Sequence, residues 1–156
     1  MVTAETILLA QELVKGATDE ELEGGYRWLF ETQPEIVDCL VDLTRDHKEN
    51  IRELVLFLAF VIFKAYDLEN PGKTDRVSRA DFATAHEQMM EWIVRLDGIP
   101  GSHQETEPYL LIYALREMTQ PLQDGTILRS GEQDEVLGMV KTVILAIERA
   151  CGEVRR

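Results

Sequence analysis

Histidine and cysteine are scarce in this 156-residue chain, which holds three of the first and two of the second. Metal centres in helical scaffolds need imidazoles, thiolates or carboxylates paired at short helical spacing. The residues three positions before His47, His86 and His103 are Thr44, Ala83 and Pro100, so the Glu-x-x-His pairs of di-iron bundles do not occur. His86-Glu87 begins like a metalloprotease helix, but the second histidine position holds Met90, a poor zinc ligand. Cys39 and Cys151 have no C-x-x-C partner, which predicts reduced, buried thiols and a cytoplasmic protein.

Basic residues are also few. Sixteen Lys and Arg face 29 Asp and Glu, a formal net charge of −13. Unspecific nucleic-acid binding draws its affinity from Lys and Arg on phosphates, so nucleic acid is not an expected partner. A basic protein is. The first 70 residues concentrate the imbalance, with fifteen acidic side chains against six basic, while Pro71 to Asp81 carries Lys73, Arg76 and Arg79 against two aspartates.

Long apolar runs are missing too. The longest, Leu54 to Phe63 (LVLFLAFVIF), has ten residues between Glu53 and Lys64, well short of the ~20 that span a bilayer. The opening MVTAETILLAQEL carries Glu5 and Glu12 and no basic stretch, which does not describe a signal peptide. No membrane association is expected. Glycine-rich phosphate cradles are absent, and no G-x-S-x-G surrounds Ser102, whose neighbour is His103. These gaps predict no catalytic residue, no cofactor and no bound metal.

What the chain does hold is helix punctuation. Thr3 opens a helix that runs to Lys15 before Gly16, and Thr18 with Glu21 forms a capping box for a second. Gln33-Pro34 ends that one and starts a third, striped by Ile36, Val37, Leu40, Val41 and Leu43. Asp46 with Glu49 reads as a box opening a long helix that Asn70-Pro71-Gly72 stops. Ser78 with Asp81 starts a fifth, with Phe82, Ala85, Met89, Ile93 and Leu96 inward and Gly98 as its C-cap. Pro108 begins a sixth that ends before Pro121, and Ser130 with Gln133 caps a seventh along Val136, Val140, Val143, Ile147 and Cys151. No period-2 strand pattern and no internal repeat stand out.

A segment apolar on every side must be enclosed. The expectation is therefore an all-α, single-domain bundle of about seven helices wrapped around a central apolar helix at about residues 47–68. If one chain cannot supply the walls, the run Leu54 to Phe63 would serve as the seam of a homodimer.

Such a module fits protein–protein binding, as an adaptor, an assembly chaperone or an acidic neutraliser of a basic partner. Glu35, Asp38, Asp42 and Asp46 are spaced to share a helical face, and acidic rows of this kind meet Arg-rich partners or hard cations. His86 sits at the edge of the fifth helix's apolar face. Glu107, Tyr109 and Tyr113 decorate the start of the sixth, and tyrosines at i and i+4 can anchor an interface. The alternative is an enzyme or small-ligand bundle with its site among the 69–77, 97–107 and 119–131 loops. There His103, Glu105, Glu107, Arg76, Arg79 and Arg129 supply the polar groups.

Overall fold

The computed structural model describes residues 2–98, 107–122 and 124–151, and the side chains of all of these except 93–98. His103 and Glu105 lie outside the described residues, as do the Ile93 and Leu96 side chains. Seven helices occupy the described residues: α1 (Ala4–Lys15), α2 (Asp19–Thr32), α3 (Pro34–Leu43), α4 (Glu49–Glu69), α5 (Arg79–Gly98), α6 (Pro108–Thr119) and α7 (Ser130–Ala150). All seven contribute to one contiguous apolar core. The chain is an all-helical bundle, as its capping pattern predicts.

Most of the caps form as read. Thr3 Oγ1 accepts the Thr6 N–H at 3.2 Å, and Thr18 and Glu21 close a reciprocal box at 3.1 and 3.3 Å. Ser78 and Asp81 do the same at the start of α5. Two caps differ. Helix α4 begins after Lys48 without any side-chain cap, because a tight turn (His47 N–H to Thr44 O, 3.0 Å) takes up residues 44–47 and Asp46 never reaches Glu49. Helix α7 is framed one residue earlier than expected: the Arg129 N–H donates to Glu132 at 3.0 Å, while Gln133 Nε2 turns back to the Leu128 carbonyl.

The run from Leu54 to Phe63 is walled within one chain. Eight of its ten side chains are buried, and Leu56 and Phe57 are half-buried against the core. Helices α1, α2, α3 and α7 all pack on the helix that holds it. A second central helix accompanies it. From Val136 to Ala150 α7 buries positions all around its circumference, because α4, α5 and α6 all pack on it. Lys141 is 1% exposed, with its ammonium 5.3 Å from the centre of the Trp92 ring.

Helices α4 and α7 run in the same direction. At their N-terminal ends His47 Nε2 meets Glu135 at 2.7 Å and Asn50 Nδ2 donates to Asp124 at 3.3 Å. At their C-terminal ends Tyr66 and Asn70 share a cavity with Ile147 and Glu148. A 21-residue helix separates the two ends by about 30 Å.

The chain start is pinned at the second of these ends. Glu107, buried ahead of α6, accepts the Val2 N–H at 2.9 Å, and Glu69 accepts the Thr3 N–H and the Thr6 hydroxyl at 2.9 and 2.7 Å. Those two bonds hold the Glu69 carboxyl below its ordinary range. Buried Gln33 clamps the 71–78 connection, donating to the Asp75 carbonyl at 3.0 Å and accepting the Val77 N–H at 2.8 Å.

Candidate functional site: a groove between α1 and α2

The acidic row on α3 is partly spent inside the molecule. Arg79, at the start of α5, reaches Asp38 at 4.0 Å and Asp42 at 3.8 Å, and Arg45 bonds Asp42 at 2.6 Å. Helix α3 stops at Leu43, so Asp46 leaves the row, while Glu35 stays half-buried in the first turn. Among the described residues no three His, Cys, Asp or Glu side chains are grouped to hold a metal ion. Surface pairs of this sort contribute about 0–1 kcal/mol each. Cys39 lies beneath the row, and burial pushes its thiol above the ordinary value.

The tyrosine pair is split by the helix surface. Tyr109 is 44% exposed, on an outward line with Ile112 and Leu115, whereas Tyr113 is 5% exposed and belongs to the core. Burial raises the Tyr113 phenol well above its usual range, with Glu117 and Tyr26 adding to the effect, and its hydroxyl has no hydrogen-bond partner among the described residues. Glu107 is a structural tie for Val2, and His86 is half-buried beside Phe82 and Met89 on α5.

The 69–77 and 119–131 connections do not converge, and the 97–107 loop lies mostly outside the described residues. The 69–77 connection and Glu107 sit at the C-terminal end of α4, whereas the 119–131 connection meets its N-terminal end through Asp124 and Asn50. At the first end a cavity of about 170 Å³ is lined by Tyr66, Asn70, Lys73, Thr74, Glu148 and Cys151, with Ile147. Arg76 and Arg129 are exposed.

The larger of the two concavities involves none of the site residues expected from the sequence. It is a groove of about 250 Å³ between α1 and α2, floored by α4. Leu13, Val14 and Ala17 form one wall, Leu22, Gly25 and Trp28 the other, and the Phe60 ring the floor. Phe60 is wedged under α2, its ring centre 5.0 Å from that of Tyr26 and 6.4 Å from that of Trp28. Gly25 permits this: a Cβ there would lie 2.5 Å from Phe60 Cζ. Glu21 and Lys64 bring the polar groups, and the Lys64 ammonium is drawn over the Trp28 ring at 5.6 Å. Leu8, Leu9 and Leu13 stand about half exposed along α1, which carries more apolar side chains than its inward face can bury.

Two glycines in the middle of a well-capped helix were the available sequence signal for this site. Each costs about 1 kcal/mol against alanine, so one of them marks a close approach. Neither concavity reaches the ~300–1,000 Å³ typical of small-molecule pockets. The groove has room for individual side chains.

Among the described residues no helix is long and apolar enough to cross a membrane. Comparison with protein-family models, with curated proteins and with solved structures finds no match for this chain.

Proposed function

We propose that this protein is a non-catalytic cytoplasmic module that works by binding another protein, and that the α1/α2 groove is its docking site. The observation that carries the reading is the groove itself: an apolar cleft over the buried Phe60 ring, with half-exposed Leu13 on one wall. Contiguous apolar surface with a polar rim is the mark of an interaction site, and Trp28 is of the residue type that dominates interface energetics. Cys39, a buried thiol in no disulfide among the described residues, supports a reducing compartment. The net charge of −13 works against nucleic acid, and against a second copy of the chain as the occupant of this face.

A photo-cross-linking phenylalanine analogue at Leu13, expressed in the native host, tests the reading. A discrete adduct of one mass is expected from position 13 and none from Arg45, which is exposed beyond the end of α3. Adducts at Ile112 and not at Leu13 would move the binding face to α6. No adduct at either position would end the protein-binding reading.

A further inference from the structure

The floor and the surroundings of the groove differ in chemistry. Its lining is apolar except for Glu21 and Lys64, and Lys64 is already engaged by Trp28. Residues 1–32, which build both walls, carry seven carboxylates against two cations, a net of −5, and all nine of these charged side chains are exposed. Arg27, one of the two cations, pairs with Glu23 at 3.6 Å. At ordinary ionic strength the Debye length is about 10 Å, so carboxylates on the outer faces of α1 and α2 act on whatever enters between them.

From this pairing we infer that the groove receives a basic amphipathic helix of a partner protein. The inference rests on the protein-binding reading above and names the chemistry of the occupant. Apolar side chains one turn apart would fill the space over Phe60 between Leu13 and Trp28, while Lys and Arg on the flanks of the same helix meet the carboxylates of α1 and α2. The α2 wall from Leu22 to Trp28 rises about 9 Å, or nearly two turns, which sets the length of the anchoring stretch at i and i+3 or i+4. The same charge disfavours fatty-acid carboxylates and anionic membrane surfaces, which would meet like charge at the rim. Electrostatic complementarity of this kind selects the partner and speeds encounter, while apolar anchors supply the affinity.

The test uses the full chain and synthetic helical peptides of about five turns. One is amphipathic Leu/Lys, one has the same composition in scrambled order, and one is amphipathic Leu/Glu. Affinity is measured by titration calorimetry and the contact surface by amide chemical shifts. The Leu/Lys peptide is expected to bind at least about tenfold more tightly than either of the others, with shifts concentrated between Leu13 and Trp28 and at Lys64. Leu13→Gln, at an exposed position whose folding is checked by a thermal melt, is expected to weaken it several-fold, and added salt to weaken it further.

Equal binding by the scrambled peptide would show bare charge attraction and overturn the inference. Preference for the Leu/Glu peptide would overturn the basic partner and leave the groove standing as a docking site. If no peptide binds, the inference fails, while a cross-link from position 13 in cells would still uphold protein binding.

Discussion

Replacing Gly25 by alanine isolates the contact on which the groove depends. Glycine in a helix interior is less favourable than alanine by about 0.5–1 kcal/mol, so both Gly24→Ala and Gly25→Ala gain that much from the backbone. At Gly24 the new methyl group meets nothing within 4 Å, and the gain should appear in full. At Gly25 the methyl carbon would lie 2.5, 3.0 and 3.3 Å from three atoms of the Phe60 ring. Ordinary contact begins near 3.4 Å, so ring or helix must give by nearly 1 Å. The ring is 5% exposed and held by Tyr26 and Trp28, and overpacking of this kind costs about 1–3 kcal/mol. Gly24→Ala should therefore be stabilising, and Gly25→Ala should lie about 1–3 kcal/mol below it. Urea melts followed by far-UV circular dichroism read both, with an unchanged m-value confirming that only stability moved. A Phe60→Leu background shortens the floor and should erase the difference, which closes a double-mutant cycle. If Gly25→Ala stabilises as much as Gly24→Ala, the close approach of α2 to α4 is wrong and the groove is not shaped as described.

Other perturbations probe the parts of the bundle that frame the groove. Phe60→Ala empties the floor and should cost about 3–5 kcal/mol in the same melts; a loss below about 1 would mean the ring is not core. Tyr113→Phe removes a buried hydroxyl that has no partner among the described residues and should leave stability unchanged or raise it by up to about 2 kcal/mol, where a clear loss would reveal a hydrogen bond. Glu107→Ala leaves the buried Val2 N–H without its acceptor, at about 1–3 kcal/mol, and hydrogen exchange should show the first turn of α1 opening before the rest. The folded pKa of Glu69 is depressed by its two threonine donors, so its contribution is present above the ordinary carboxylate pKa and is lost as pH falls through the folded value. The stability gap between wild type and Glu69→Gln should accordingly be open at neutral pH and close as pH falls below the ordinary carboxylate range; a gap that persisted in strong acid would contradict it.

Helix order was legible because it rests on local chemistry. Thr18/Glu21, Ser78/Asp81 and the prolines at 34 and 108 each satisfy or remove orphan N–H groups within one turn, and such signals survive any tertiary context. The box at Asp46 misled because Thr44 and His47 had already closed a turn there. The second buried helix was hidden by Lys141, Thr142 and Glu148, polar residues that single-face periodicity assigns to solvent. Their burial depends on where α5 and α6 pack, which no local pattern encodes. Tyr113 lies on the core side of an edge that its neighbour Tyr109 does not cross, because one turn of helix advances the register enough to separate them.

The groove is illegible in the sequence for a related reason. Titratable side chains are the sequence's markers of chemistry, and the acidic row on α3 carries them although Arg79 and Arg45 already occupy part of it. A groove of apolar floor and acidic flanks has no reactive group to betray it. Its markers are surpluses and shortages: leucines on α1 beyond what one face can bury, and a glycine pair where alanine would serve the helix better. Much of the core is carried by α4 and α7, so the outward positions of α1 and α2 hold little of the bundle's stability. Leu9, Leu13 and the outward carboxylates can then change at small cost to the fold, and a surface with that freedom can be shaped by what binds to it.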